Sequence, residues 1–292
     1  MMRLGHLKSC FSRALHAHLH FVWAFKAKDG SLKYMVHKTT PSTKNKDSVY
    51  WDYWWEMVKA SIWRDAKELP AIIDATQMQG KDVMEVGCGP GRLILPFARV
   101  AKSITAVDES DWTIKVVNEL VFEHRLKDRV QVVQAPLVSL PFDDDVADAS
   151  YCIWIIHHNR SRWEKVVNEM VRVTKPGAPV VVGFSSGEKD LPKLEDIVKP
   201  HHLQKCKEFD VAFPKWINEQ GWALEVRKVP LLFEFKSPDW GFEVFENTFF
   251  PKKITDAQRN EVMTFLKQHH IPGKTRIEQE MRLYIIRAQK ED

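Results

Sequence analysis

The sequence predicts a doubly wound α/β fold, a mainly parallel sheet covered by helices on both faces. Three observations carry that expectation. Short apolar runs alternate with longer amphipathic segments between residues 82 and 184, the pattern of repeated βα units joined by right-handed crossovers. A glycine-rich turn falls where the first apolar run meets the first such segment. The composition, 44% hydrophobic and 28% charged over 292 residues, is that of an ordinary globular protein and excludes disordered, collagen-like and coiled-coil chains. A chain of this length buries a sizeable core without disulfides or structural metals.

Residues 1–28 carry Arg3, Lys8, Arg13, Lys26 and Lys28 but no acid, and Leu4, Leu7, Phe11, Leu15, Leu19 and Val22 recur at helical spacing. Three readings fit this basic amphipathic stretch: an organelle transit peptide or membrane-surface helix, a basic cap packed on the core, or residues upstream of a start at Met35. His6, His16, His18 and His20 weigh against the transit peptide. Residues 37–48 are polar and turn-rich and read as a linker. The expected division is therefore an extension over 1–48 and one globular unit over 49–292.

The abnormal count in the chain is its 11 tryptophans, and Trp51, Trp54, Trp55 and Trp63 cluster at the start of that unit. Trp51, Trp55, Val58 and Ile62 fall at i, i+4, i+7 and i+11, which predicts an amphipathic helix capped by Asp47 or Ser48. A second helix is expected over Ala71–Met78, between Pro70 and Gly80. Strands are expected at Asp82–Val86, Ser103–Val107, Val130–Val133, Ala147–Ile155 and Ala178–Phe184, with helices around Arg92–Val100, Ser110–Glu123 and Ser161–Val173. A helical stretch ending in FPKWINEQG follows, then a strand-pair candidate, Ala223–Phe235, and a final strand, Met281–Ala288. An antiparallel hairpin at the sheet edge, interrupted by an insertion over Ser237–Gln279, fits this tail. Within the insertion Thr255-x-x-Gln258 reads as the capping box of a helix.

Charge and cysteines narrow the function classes. Lys and Arg number 43 against 39 Asp and Glu, a net charge of +4, which gives no strong nucleic-acid signal. Cys10, Cys88, Cys152 and Cys206 lie far apart without a CxxC pair, which argues against zinc, a redox dithiol or a disulfide framework and favours a reducing, cytoplasmic home. The alternative locations are an organelle or a membrane surface reached through residues 1–28. No apolar window reaches the ~18–20 residues of a membrane span.

The chemistry is carried by VMEVGCGPGRL, residues 83–93. Gly87, Gly89 and Gly91 remove side chains from a tight turn so that a ligand can approach the backbone, and the helix that follows offers free N–H donors. The spacing is GxGxG rather than the GxGxxG of dinucleotide folds, which disfavours NAD and FAD. Glu85, two residues before the first glycine, would repel a pyrophosphate but suits an amino group. Asp108, about twenty residues on, can accept hydrogen bonds from both hydroxyls of a ribose. A partly cationic ligand with a ribose and no phosphate chain satisfies all three clues.

With these residues in place, the sequence resembles the class I S-adenosylmethionine-dependent methyltransferases over residues ~80–185. VMEVGCGPGRL resembles that family's first motif and AVDES its ribose-binding acid, while VRVTKPGAPVVVGF is similar to the entry to its fifth strand. The resemblance implies a seven-stranded Rossmann-like methyltransferase fold and S-adenosylmethionine as cofactor. It places Gly87, Gly89 and Gly91, with Cys88 as a small residue fitting among them, at the methionine part of the cofactor, and Glu85 near it. It gives the ribose to Asp108 with Glu109 alongside. Trp154, at the end of the fourth strand, joins the cofactor-binding set. One departure stands out: where the family commonly has an acid that reads the adenine amino group, this chain has Ala135-Pro136-Leu137. Adenine recognition then falls to other groups, the backbone of Leu137 among them.

The family places acceptor groups at the end of strand four, here Trp154 to Asn159. His157 and His158 are therefore candidates to take a proton from the substrate, the alternative being that either caps the next helix. The pairs His201-His202 and His269-His270 lack metal-ligand spacing and read as surface or core residues, and Asp143-Asp144-Asp145 reads as a solvated turn; no metal site is expected. The family's amino-methylating nucleic-acid motif and its paired-glutamate arginine loop are both missing, which favours a small-molecule acceptor. The tryptophan-rich helix and the aromatic residues Trp240, Phe242, Phe245, Phe249 and Phe250 of the insertion, acting as a lid, suggest an acceptor of apolar or aromatic-compatible character. The rivals are an RNA or protein methyltransferase using residues 1–46 as a docking arm, and a non-catalytic cofactor-binding accessory protein.

Overall fold

The structure, a computed structural model, describes residues 19–26, 32–39, 46–156 and 161–289, with side chains from residue 50 onward. Strands β1 (Leu19–Lys26) and β2 (Leu32–Thr39) pair antiparallel, from Leu19 opposite Thr39 to Lys26 opposite Leu32. Leu19 and Val22, expected on a helix, therefore lie in a strand. Phe21, Val22, Trp23 and Phe25 are β-formers, and that local preference overrides a helical periodicity sparse in this stretch. The rest of that expected helix lies outside the described residues. Helix α1 (Lys46–Ala60) begins ahead of Asp47 and Ser48, so both sit inside its first turn instead of capping it. A π-turn at Arg64–Glu68 leads into α2 (Leu69–Thr76), which starts two residues earlier than expected with Pro70 in its first turn and ends on Gln77 in the left-handed region.

The central sheet is built from β3 (Asp82–Val86), β4 (Ser103–Asp108), β5 (Val130–Gln134), β6 (Ala149–Ile153) and β7 (Val180–Lys189), all parallel. Its burial explains the near-continuous apolar runs. Val83, Tyr151, Val181 and Ile104 face one cluster with α2, the short α3 (Ile94–Phe97) and α4 (Asp111–Glu123). Met84, Val86, Cys152 and Val182 face the other with α5 (Trp163–Val173) and α7 (His202–Glu219). A parallel strand covered on both faces leaves no polar alternation to read. The helix expected over Arg92–Val100 shrinks to the four residues of α3, because Pro96 offers no N–H and turns take up the flanks.

Two antiparallel strands complete the sheet, β8 (Ala223–Phe235) and β10 (Lys274–Arg287), in the order β5-β4-β3-β6-β7-β10-β8. The two-residue β9 (His270–Ile271) also pairs with β10, an eighth strand beyond the seven expected. Ala223–Phe235 is one 13-residue strand rather than a pair. The last strand starts at Lys274 instead of Met281: Thr275, Ile277 and Gln279 are buried while Lys274, Arg276 and Glu278 are exposed, a strand alternation hidden by its charges. The insertion accordingly ends earlier than expected.

A third apolar cluster, outside the two sheet faces, joins α1, α6 (Asp190–Val198), α8 (Pro238–Thr248) and α9 (Asp256–Gln268) to Phe233, Phe235 and Ile277. Thr255 caps α9 with the reciprocal capping box read from the sequence. Among the described residues no helix is long and apolar enough to cross a membrane, and no group of His, Cys, Asp or Glu is placed to hold a metal ion.

Candidate functional site

The chain runs from β3 outward through β4 and β5 and then returns to the other side of β3 as β6. Ligands of such sheets bind outside the carboxyl ends of the strands at this reversal, and the glycine turn follows β3 at that point. Gly87, Gly89 and Gly91 have φ of +80°, +50° and +82°. They serve different ends. A Cβ on Gly87 would stand 2.7 Å from Ile155, and one on Gly91 2.8 Å from Leu120, so these two let the turn pack against the protein. A Cβ on Gly89 would meet nothing within 4 Å, so Gly89 is the glycine with space beside it.

The turn is pinned from β4. Val107 O accepts from the N–H groups of Gly87 (2.8 Å) and Cys88 (2.9 Å), and Asp108 Oδ2 accepts from Gly89 N–H (3.0 Å). The other Asp108 oxygen accepts from Ser110 N–H at 2.9 Å, at the cap of α4. Burial pushes the Asp108 carboxyl up, opposed by these two N–H groups.

A cavity of about 440 Å³ opens from the turn. Glu85, Gly87, Cys88, Gly89 and Trp154 line it, so the structure brings together five of the residues assigned to cofactor from the sequence; Gly91, Asp108, Glu109 and Leu137 stand outside its lining. His157 and His158 lie outside the described residues. Glu85 is 4% exposed, with Tyr151 Oη donating to it at 3.3 Å, and burial pushes its carboxyl up to about 8. Beside it, Arg92 holds Glu68 through two bonds of 2.8 Å, Trp154 Nε1 donates to Glu68 at 2.8 Å, and Arg64 donates to the Arg92 carbonyl at 2.8 Å. Burial works against the Glu68 charge, but Arg92, Trp154 and Arg64 outweigh it and keep the carboxyl below its ordinary range. Trp154 itself has φ +66°, a conformation that costs a non-glycine residue on the order of 1 kcal/mol, and its N–H donates to Gly183 O at 2.7 Å.

Trp51, Trp54, Met57 and Val58 of α1, with Ser61 just past its end, form a wall of the cavity. The stripe differs from the expected one: Trp54 faces the cavity and Trp55 does not line it, while Ile62 lies past the helix end and is 43% exposed. The cavity is also lined by residues that the sequence did not single out as functional, Glu195, Lys199, His202 and Cys206. Glu195 accepts from Lys199 Nζ at 2.7 Å and faces His202 Nε2 at 3.3 Å, and the same ring nitrogen is 3.5 Å from Cys206 Sγ. Burial lowers the His202 pKa, but Cys206 and Glu195 prevail and raise it to about 9. The signal was present as Glu195, Lys199, His202 and Cys206 at i, i+4, i+7 and i+11.

Leu137 N–H, the group offered for adenine, donates to Glu109 Oε1 at 2.9 Å, and Arg162 donates to Glu109 Oε2 at 2.7 Å. A carboxylate from the end of β4 thus stands beside the position where Pro136 replaces the family's acid. Of the other histidine pair, His269 stacks on Phe265 and His270 lies 3.0 Å from Thr275 Oγ1.

Residues 84–182 match the family model described as a methyltransferase domain. The chain carries a class I S-adenosylmethionine-dependent methyltransferase domain. Among known proteins similar to it is sterol 4-C-methyltransferase strm-1 of Caenorhabditis elegans, 26% identical over 46% of this chain and 43% of that one. Norajmaline N-methyltransferase of Rauvolfia serpentina is 26% identical over 64% of this chain and 63% of its own. The chain thus spans less than two thirds of either relative. The crystal structure of a SAM-dependent methyltransferase from Aquifex aeolicus superposes on the methyltransferase fold with a TM-score of 0.52, at 14% identity, covering 84% of this chain and 100% of that one.

Proposed function

We propose that the protein transfers a methyl group from S-adenosylmethionine to a small molecule with an apolar body. The observation that carries this reading is the continuity of one cavity from the glycine turn and Glu85 to the aromatic wall of α1. The turn fits the cofactor: Gly89 has open space beside it, and the buried Glu85 carboxyl lines the same end as an ammonium acceptor. Glu85 and the Gly87–Gly89 backbone would hold the amino acid part, and Asp108, already bonded to Gly89, the ribose. When bound, the cofactor supplies a sulfonium-activated methyl group, so the protein has chiefly to place a nucleophile in line with it. The rings of Trp51 and Trp54 exclude water and position the acceptor. His157 and His158 remain the proposed proton acceptors for an acceptor that carries a proton on its nucleophile.

The unit proposed to do this is 49–292, with 1–48 as an extension. Cys88 and Cys152, buried thiols in no disulfide among the described residues, support work in a reducing compartment such as the cytoplasm. Similarity to sterol and alkaloid methyltransferases supports an apolar small acceptor. Calorimetry with S-adenosylmethionine and S-adenosylhomocysteine tests the cofactor, and absence of binding to both overturns the reading. Methyl-labelled cofactor incubated with protein and fractionated extract tests the acceptor: label is expected below the macromolecular cut-off, and label in RNA or protein overturns the small-molecule assignment.

A further inference from the structure

We propose that Gln279 and Ser185 form a head-group site in the cavity and select an uncharged hydroxyl carried by the apolar methyl acceptor, an inference that rests on the methyltransferase reading above. The site arises from a break in the sheet. Gln279 of β10 stands opposite Lys189 of β7 but Met281 stands opposite Ser185, so β7 runs from 189 to 185 while β10 runs only from 279 to 281. A bulge of this kind re-aims side chains, and here the alternation of β10 stops, with Gln279, Glu280 and Met281 all buried. On its other side Gln279 stands opposite Leu231 of β8, which lines the cavity together with Phe233 two residues on. Gln279 and Ser185 line it too, so a polar pair is set into an apolar face of the sheet.

The pair has hydrogen-bonding capacity to spare. Gln279 is 5% exposed, and its side chain makes one hydrogen bond among the described residues, Nε2 donating to Ser185 Oγ at 3.2 Å. The amide oxygen and the second amide N–H are left over. Ser185 Oγ accepts this bond and reaches the Ser186 carbonyl only at 3.4 Å, a long contact. Turning the amide over keeps the balance: its oxygen would accept from the Ser185 hydroxyl, leaving both amide N–H groups and the Ser185 lone pairs. In either arrangement the pair offers a donor beside an acceptor, and a hydroxyl is the smallest uncharged group that uses both. A buried polar group without a partner costs free energy, so a ligand that supplies one is bound more tightly. The ionic groups of the cavity are engaged with each other: Arg92 holds Glu68 at 2.8 Å, Lys199 holds Glu195 at 2.7 Å, and Arg64 lies 3.1 Å from Asp65. With Glu85 assigned to the cofactor, an ionic head of either sign would have to displace one of these pairs, whereas a hydroxyl on Gln279 and Ser185 displaces none.

The test uses probes with one apolar body and different heads: 2-naphthylethanol, 2-propylnaphthalene, 2-naphthylacetate and 2-naphthylethylamine. Their binding to the full chain is measured by equilibrium dialysis with and without S-adenosylhomocysteine. A purely apolar pocket prefers the hydrocarbon, which leaves water more readily. The alcohol is instead expected to bind at least about tenfold more tightly than the hydrocarbon, and more tightly than either ion. Gln279→Leu is expected to bring alcohol and hydrocarbon within about twofold of each other with hydrocarbon affinity kept, and Ser185→Ala, at a half-buried position, to cut the preference by at least about threefold. Each variant is first checked by thermal melting. Equal or tighter binding of the hydrocarbon or of either ion by the wild type, or no binding of any probe, overturns the head-group site. So does a folded Gln279→Leu that keeps the preference, or that loses alcohol and hydrocarbon equally, the mark of a purely structural tie between β7 and β10. Should Gln279→Leu fail to fold, Ser185→Ala decides alone. Titration of S-adenosylhomocysteine by itself reads the methyltransferase assignment separately: a protein that prefers the alcohol but does not bind that product keeps the head-group site and loses the assignment.

Discussion

Glu85 is a carboxyl group that folding keeps protonated close to neutral pH, because burial outweighs both the nearby Arg92 charge and the Tyr151 hydroxyl. Its folded value, about 8, lies above the ordinary 4.5. Between those values the folded state holds a proton that the unfolded chain has released, so stability falls as pH rises through roughly 4.5 to 8 and levels off above. Glu85→Gln removes this dependence. Melting curves are therefore expected to show the variant gaining on the wild type steadily from pH 5 to pH 8, and a constant difference across that range would refute the buried acid. The same proton reports on ligand: an ammonium placed beside Glu85 favours the carboxylate, so binding of S-adenosylhomocysteine near pH 7 should release a proton. Calorimetry in buffers of different ionisation enthalpy measures it. Asp108 differs in kind, since its two oxygens already take Gly89 and Ser110. Asp108→Ala is expected to weaken cofactor binding by about 1–3 kcal/mol through the lost charge-assisted bonds and a loosened turn.

At the scale of elements, what could be read depended on whether local chemistry or distant packing decides. β3 was legible to the residue and α4 almost so, because Asp82–Val86 is an apolar run bounded by turns and Ser110 accepts from Thr113 N–H as a local cap. The glycine turn was legible for a similar reason: three residues at positive φ within five positions favour glycine by local backbone sterics alone. Gly87→Ala joins this strain to an overlap with Ile155 at 2.7 Å, and is expected to cost about 1–3 kcal/mol in denaturant unfolding as well as cofactor affinity. The wall of Glu195, Lys199, His202 and Cys206 escaped because it depends on a helix break and on β7 and β10 arriving from elsewhere. A pair such as His201-His202 viewed alone gives no reason to send one ring inward. The start of β10 escaped because charged residues at 274–280 masked a strand paired with β8 along its length. Where the signal was local it also makes a clean control: Thr255→Ala removes the hydroxyl that accepts from Gln258 N–H at the exposed start of α9, while the backbone N–H of residue 255 can still donate to the Gln258 side chain. It should cost about 1 kcal/mol of stability, measured by urea unfolding, with cofactor affinity unchanged.

At the scale of the whole molecule, the layers of the sheet followed from composition and alternation, but the third apolar cluster did not, because its residues come from α1, α6, α8 and α9, far apart in sequence. That cluster gives α1 a double attachment. On the core side Trp51 stacks on Trp112 of α4, with ring centroids 4.8 Å apart and planes 14° apart. On the insertion side Tyr53 donates to Glu243 of α8, its ring sits 6.2 Å from Trp240, and Ser61 bridges to Phe233 of β8. The cavity is lined both by Trp51 and Trp54 of this span and by Gly87, Cys88 and Gly89 of the turn. A ligand filling the turn end therefore restrains α1, and α1 restrains α8. Hydrogen exchange measures the chain of effects: S-adenosylhomocysteine is expected to slow amide exchange in α1 and α8 as well as in residues 87–91. Trp51→Ala cuts the stacked contact to α4, a pair of rings of a kind that contributes about 0.5–1.5 kcal/mol beyond area burial. In that variant the ligand should still slow exchange at 87–91, while the slowing in α8 falls by about twofold to thirteenfold, the factor that such an energy corresponds to. Equal slowing of α8 in both proteins would show that the insertion senses the ligand by another route than α1.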